Sequence, residues 1–136
     1  MLLTAHGLPK KIVGGGDPYP DQVQRTAAAV VAALARPELD WCVCYQSRVG
    51  PLEWIGPATD EEIKRAGEDG VALVVVPISF VSEHSETLVE LDLDYRHLAE
   101  VAGVTYYHRV AAVGVGPRFI GALATLVSRA LAGAPA

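Results

Sequence analysis

The chain is poor in several residue types, and each scarcity removes a class of function. Of its 136 residues only 11 are Lys or Arg, against 16 Asp or Glu, for a net charge of −5. Lys10, Lys11, Arg48, Lys64 and Arg65 stand singly or in pairs. There is thus no basic face for a phosphate backbone, and no nucleic-acid partner is expected. No apolar run approaches the roughly 20 residues that a membrane span needs, so no transmembrane segment is expected. Met1 to His6 lacks the basic start and apolar length of a signal peptide, and a cytoplasmic location is the expectation. Cysteine is nearly absent. Cys42 and Cys44 are the only two, too few for a zinc or iron–sulfur site without help. They are assigned to opposite faces of one strand and read as buried free thiols rather than a disulfide. Internal repeats, low-complexity tracts and domain boundaries are also missing. What remains is 51% hydrophobic and 20% charged, a globular composition long enough for one domain, residues 1–136, with a sizeable core.

Apolar runs and breakers alternate along the chain. Leu2–Ala5 reads as a first strand, followed by a Gly- and Pro-rich loop from His6 to Asp17. Val23, Ala27, Val30, Val31 and Leu34 form a helical stripe within Pro18–Ala35, with Asp17 as N-cap and Pro18 at the first position. Arg36-Pro37 ends it. Trp41–Gln46 is a second strand, and Ser47–Ala58 a loop broken by Gly50-Pro51 and Gly56-Pro57. Thr59 is expected to cap a short helix opened by Asp60, Glu61 and Glu62. Val71–Ile78 is a third strand. Ser85–Ala102 is a third helix, with Leu88, Leu91, Leu98 and Val101 as its apolar face. Val104–Arg109 is a fourth strand, and Arg118–Leu131 a last helix before an Ala/Gly/Pro end expected to fray. The order βαβαβαβα predicts an α/β fold of three layers, αβα. It consists of a four-stranded parallel sheet with helices on both faces, one Rossmann-like half. Ligands of such sheets bind beyond the carboxyl ends of the strands. His6, the segment Gln46 to Trp54, and the segment Phe80 to Glu86 all fall on that rim.

Phe80 to Asp94 is the most unusual stretch. One imidazole and five carboxylates lie within Glu83 to Asp94. Glu86, Glu90 and Asp94 recur every four positions, so on a helix they make one acidic stripe. Like charges at that spacing repel by a few tenths of a kcal/mol per pair. First-turn acids complement a helix dipole, which accounts for Glu83 and Glu86 but not for the continuation to Asp94. The stripe therefore suggests a cation or protons in transit. His84 and Glu86 add a weak H-x-E pattern. His6, at a strand end, can act as a base near neutral pH or ligate a borderline metal.

Other candidates are less pointed. Gly14-Gly15-Gly16 lacks the Lys-Ser/Thr of a P-loop and the G-x-G-x-x-G of a dinucleotide site, which favours a flexible turn into a capped helix. Gln46, Ser47, Arg48 and Trp54 put hydrogen-bonding groups, a cation and a large ring in one loop. Arg48 could hold a carboxylate and Trp54 could stack on a flat ligand; equally, they are a surface Arg and a loop-pinning Trp. No Ser lies in a nucleophile elbow. His and carboxylates suit a divalent first-row ion. An apolar rim with Trp54 and Phe80 suits a flat organic partner.

These residues resemble the ferrochelatase family. The matching stretches are Thr4-Ala5-His6-Gly7-Leu8-Pro9, Gly16-Asp17-Pro18-Tyr19, Tyr45 to Pro51 with Trp54, Val76-Pro77-Ile78, and Phe80 to Tyr95. They run in family order over nearly the whole chain, and Gly7, where many members have Ser, resembles alphaproteobacterial enzymes. The resemblance implies a chelatase-like domain equivalent to the C-terminal half of a ferrochelatase, with the N-terminal domain missing. The implied activity is a lyase reaction of haem biosynthesis, insertion of Fe²⁺ into protoporphyrin IX, weak or absent in the isolated half. Coproporphyrin III is the other porphyrin that fits. The resemblance makes His6, Glu86 and His84 catalytic and His6, Glu86, Glu90 and Asp94 metal-contacting. His6 and Glu86 are expected on opposite sides of the macrocycle. Gln46, Ser47, Trp54 and Phe80 are implied as substrate-binding, with Ser47 at a propionate. It also implies a partly π-type helix carrying the acidic stripe. No cofactor is required: Fe²⁺ is the substrate metal, Zn²⁺ or Co²⁺ can replace it, and an iron–sulfur cluster is not expected. Two other readings are a homodimeric single-domain tetrapyrrole chelatase, in which a second copy supplies the other wall, and a non-catalytic metal- or haem-binding module.

Overall fold

The computed structural model of the chain describes residues 1–133. The expectation of a frayed Ala/Gly/Pro end falls in part on residues 134–136, outside the described residues. Four strands, β1 (Leu2–His6), β2 (Cys42–Gln46), β3 (Leu73–Pro77) and β4 (Tyr107–Arg109), form one parallel sheet in the order β2-β1-β3-β4. Sequence composition explains the layering. Parallel strands bury both faces, so they read as continuous apolar runs rather than alternating ones. Leu2, Leu3, Thr4 and Ala5 of the central β1 are each 2% exposed or less.

On one face, α2 (Tyr19–Leu34) lays Val23 and Ala27 on Leu3, Ala5, Val43 and Tyr45. On the other, α3 (Thr59–Glu68), a π-helix (Glu86–Asp94) and α4 (Tyr95–Ala102) pack Ile63, Ala66, Leu91 and Ala99 against Leu2, Cys44, Leu73, Val75 and Tyr107. This is the three-layer αβα arrangement expected from the element order. Cys42 and Cys44 both pack against the second cluster, not on opposite faces, because residues two apart on a strand share a face. They are free thiols.

Local signals explain most element ends. The Asp17 carboxylate accepts the Tyr19 N–H at 2.9 Å, but the helix starts one residue later than expected, with Pro18 rather than Asp17 at its N-cap. Within the expected loop before it lies a short helix, α1 (Lys10–Gly14), one turn with no buried residue and hence no apolar periodicity to read. Thr59 does not cap α3. It is the first helical residue, fully buried, and its hydroxyl donates to Cys44 Sγ at 3.3 Å instead. A Cβ on Gly67 would lie 2.1 Å from the carbonyl oxygen of Ala102, so glycine is what lets α3 and α4 approach.

The third helix is partly π-type, as the resemblance implied, and it departs from the expected apolar stripe. The Tyr95 N–H bonds to the Glu90 carbonyl, five residues back, the π pattern. A wider turn shifts the phase of every residue after it. Leu91 is fully buried and Leu98 partly so, but Leu88 and Val101 are 48% and 72% exposed, contrary to the α-helical stripe. The last helix, α5 (Pro117–Leu131), buries no residue, and Ile120, Leu123, Leu126 and Val127 are exposed on it. Among the described residues no helix is long and apolar enough to cross a membrane.

Candidate functional site

The site lies where the carboxyl ends of β1 and β2 meet the start of the π-helix. His6 ends β1, Gln46 ends β2, and the two are register partners. An open cleft of about 870 Å³ lies above them, with His6, Ser47, Trp54, Glu86, Asp94 and Tyr95 among its lining residues. Its size suits a large flat ligand.

His6 is fixed at both ends. Its Nδ1 lies 2.6 Å from the Gly7 carbonyl oxygen. A carbonyl can only accept, so Nδ1 carries a proton and Nε2 is the free nitrogen. The Tyr19 hydroxyl donates to the His6 carbonyl at 3.1 Å, and burial raises the pKa of that hydroxyl, outweighing the opposite effect of Ser79, so it stays a donor. His6 Nε2 points at Glu86 Oε1, 3.7 Å away, with both side chains about two-fifths exposed to the cleft. A lone pair and a carboxylate that face each other call for one positive charge between them. A proton on Nε2 supplies it, as does a divalent ion. Two bonds of about 2.1 Å span that gap at an angle of roughly 120°. A macrocycle between the two groups would need roughly 7 Å, two van der Waals contacts of about 3.5 Å each. The 3.7 Å gap thus leaves no room for a ring between His6 and Glu86, contrary to the expected placement on opposite sides of a macrocycle.

Glu86 is held by its backbone. Its N–H donates to His84 Nδ1 at 3.1 Å, and its carbonyl accepts from Gln46 Nε2 at 2.8 Å. The Thr87 hydroxyl accepts the His84 N–H and donates to the His84 carbonyl. His84 is thus the cap of the π-helix. It packs edge-on against Phe80, ring centroids 4.9 Å apart, and does not line the cleft.

Four further expected residues fall differently from one another. Gln46 is fully buried beneath the cleft and Phe80 is buried under His84; neither lines the cleft. Trp54 does line it, and its Nε1–H is buried with no protein partner. Ser47 lines the cleft too, in a left-handed conformation with φ of 59°.

The acidic stripe is divided. Glu90 is tied into hydrogen bonds with Gln46, Ser47 and Tyr95. Asp94 lies on the exposed cleft wall. Among the described residues no three His, Cys, Asp or Glu side chains gather closely enough to hold a metal ion. The expected set of His6, Glu86, Glu90 and Asp94 is therefore not assembled around one point; His6 and Glu86 alone face each other. The reason is the four-residue spacing, which strings the carboxylates along the helix axis.

Tyr19 and Tyr95 were missed in the sequence. Tyr95 lines the cleft, and burial, then the charge of Glu90, pushes its phenol well above the ordinary range. Tyr95 follows Glu90 by five, a spacing that signals contact only once a π turn is known. On the far side of the π-helix, Arg109 pairs with Asp92 through two nitrogens and with Glu83 at 2.6 Å. The Tyr107 hydroxyl donates to the Leu91 carbonyl at 2.8 Å.

The family profile of ferrochelatase matches residues 1–131. The chain belongs to the ferrochelatase family. It is 56% identical over 135 residues to the ferrochelatase of Caulobacter vibrioides strain NA1000, covering 99% of this chain and 39% of that protein. It is 58% identical over 132 residues to that of Phenylobacterium zucineum, covering 96% and 38%, and 49% identical over 135 residues to that of Synechococcus sp. strain RCC307, covering 98% and 35%. The chain thus spans about two-fifths of the length of the ferrochelatases it matches. The fold also matches a CbiX protein of cobalamin (vitamin B12) biosynthesis from Marinobacter aquaeolei VT8, with a TM-score of 0.67 at 19% identity, over 98% of this chain and 97% of that one.

Proposed function

We propose that the chain is the C-terminal domain of a ferrochelatase and forms the metal-side wall of a site that inserts Fe²⁺ into protoporphyrin IX. The observation that carries this reading is the His6–Glu86 pair, an imidazole nitrogen 3.7 Å from a carboxylate oxygen at the base of a large cleft. Insertion of a metal into a porphyrin must remove two pyrrole protons while the ion sheds water. A neutral imidazole and a carboxylate, side by side, can take those protons or replace those waters. Asp94, on the cleft wall, extends the negative potential outward and draws cations toward the pair. Trp54 offers a ring face to the macrocycle, and Ser47 and Arg48 offer groups for its propionates. Fe²⁺ is substrate here, and Zn²⁺ or Co²⁺ can stand in for it. No resident cofactor enters the proposal, and the two free thiols are too few for an iron–sulfur cluster. Coproporphyrin III fits the same description.

The cleft has one wall. In this proposal the other comes from the part of the relatives' polypeptide that the chain does not span, so the chain alone turns over slowly or not at all. A second copy is the alternative source, and α5 leaves apolar side chains available for either. The test follows porphyrin absorbance on mixing the chain with Zn²⁺ and porphyrin, alone and joined to an upstream ferrochelatase domain, beside its mass in solution. The proposal expects metalation that rises with the added domain and falls at least about tenfold in Glu86→Gln and in His6→Ala. A rate indifferent to both substitutions refutes the site. A strict monomer removes the second-copy alternative, and metal binding without turnover in the joined protein would leave a binding module.

A further inference from the structure

Glu90 stands in the middle of the acidic stripe, yet its carboxylate is already full. Oε1 accepts the Ser47 N–H at 2.7 Å and the Tyr95 hydroxyl at 3.0 Å. Oε2 accepts Gln46 Nε2 at 3.0 Å and the Ser47 hydroxyl at 2.5 Å. A carboxylate offers about four lone-pair sites, and four donors occupy them. A metal ion could bind only by displacing a donor, and each donor is part of the structure. Gln46 is fully buried, so its amide would keep the Glu86 carbonyl but lose its second acceptor, leaving one N–H without a partner. Ser47 has φ of 59°, a backbone region that non-glycine residues visit only where neighbours hold them. Both of its donors end on Glu90.

The consequence reaches Glu86. The same Gln46 amide that donates to Glu90 also donates to the Glu86 carbonyl, one turn earlier on the π-helix. The Glu90 carboxylate therefore joins three things: the left-handed turn at the end of β2, the buried Gln46, and the π-helix that carries Glu86. Glu86, Glu90 and Asp94 all line the cleft, but among the described residues neither Glu86 nor Asp94 has a comparable set of hydrogen bonds through its carboxylate.

We propose that Glu90 is a positioning residue and not a metal carrier. It fixes the Ser47 turn and the register of the π-helix so that Glu86 meets His6. The inference rests on the metal reading of the His6–Glu86 pair, and it removes Glu90 from the path of the ion.

Co²⁺ titration of the 136-residue chain, followed by d–d absorption and paired with thermal unfolding, tests it. Glu86→Gln is expected to weaken Co²⁺ binding by about tenfold or more with little change in midpoint. Glu90→Ala is expected to lower the midpoint by roughly 5 °C or more and to weaken binding by only about threefold, through a loosened Glu86. Adding Ser47→Gly, which adopts the left-handed turn without strain, is expected to recover the affinity and the spectrum. A tenfold loss in Glu90→Ala that Ser47→Gly leaves untouched would make Glu90 a ligand and overturn the proposal. If Glu90→Ala does not fold, Tyr95→Phe decides. It frees one lone pair of Glu90, so unchanged affinity supports positioning, and tighter Co²⁺ binding refutes it. Affinity unaffected by Glu86→Gln sinks the metal reading itself, an outcome distinct from either result at Glu90.

Discussion

Arg109 offers the sharpest test of how the π-helix is held from behind. Its side chain is 8% exposed, bonded bidentately to Asp92 and at 2.6 Å to Glu83, whose carboxylate also accepts the Ala112 N–H. Arg109→Leu keeps the bulk and removes every donor. Breaking a fully buried ion pair from one side costs about 3–5 kcal/mol. Asp92 and Glu83 keep 26% and 34% of their side-chain surface in water, so solvent returns part of that, and about 2–3 kcal/mol is expected. For a chain of this size that lowers the thermal midpoint by roughly 10 °C. The pH dependence gives an independent check. The Thr87 hydroxyl, the Arg109 guanidinium and the Ala112 N–H hold the Glu83 carboxyl at about 2, against an ordinary 4.5. A depressed carboxylate stabilises the fold fully above its unfolded pKa and loses that contribution as pH falls from about 4.5 through about 2. Urea unfolding of the native chain between pH 6 and about 2.5 should therefore show an acid limb that is smaller in Arg109→Leu. A loss below about 1 kcal/mol, with an unchanged acid limb, would show that the cluster is solvated and contributes nothing to holding the helix.

Two further outcomes follow from packing and burial. Gly67→Ala would place a methyl 2.1 Å from the Ala102 carbonyl oxygen. It should lower the urea midpoint by the equivalent of about 2–3 kcal/mol despite alanine's helix propensity, and a raised midpoint would mean that α3 and α4 separate freely. Burial, with Glu62 adding to it, pushes the Cys42 thiol up to about 11, and burial pushes Cys44 up to about 12. Since the thiolate is the nucleophile, an aromatic disulfide reagent at pH 8 should label neither in the folded chain and both after unfolding. Rapid native labelling of Cys44 would show that the sheet opens.

The layers were legible because their cause is local. Runs at Leu2–Ala5, Trp41–Gln46 and Val71–Ile78 have no charged residue to turn outward at mid-strand, and the one polar residue of the first, Thr4, is itself buried, which is the mark of parallel strands covered on both sides. The convergence of His6, Ser47 and Glu86 followed from that topology alone. The helix carrying the stripe was harder. Leu88, Leu91, Leu98 and Val101 satisfy an α period, and nothing in their identities announces i→i+5 bonding. The π register depends on contacts distant in sequence: Gln46 to the Glu86 carbonyl, Tyr107 to the Leu91 carbonyl, and Arg109 to Asp92. Sequence periodicity reports which residues want burial, but not which carbonyls a neighbouring strand will claim.

The same distinction resolves the acidic stripe. Spacing of four groups Glu86, Glu90 and Asp94 as equals, and by charge alone they are interchangeable. Their partners separate them. Glu90 sits over the end of β2, where four donors converge; Glu86 sits one turn nearer the mouth of β1, where only a free imidazole nitrogen faces it. A half-buried carboxylate with every lone pair engaged has its charge compensated and its position fixed, which is what a support needs. A carboxylate facing a lone pair is uncompensated until a cation or proton arrives, which is what a site needs. Five carboxylates close together would repel unless most were spoken for. Here Glu83 and Asp92 share Arg109, with Arg96 4.0 Å from Asp92, and Glu90 is saturated by neutral donors. The field that remains is concentrated on Glu86, with Asp94 outside it. Substituting Glu83 or Asp92 should therefore change how firmly the helix is held, whereas substituting Glu86 should change what the cleft attracts.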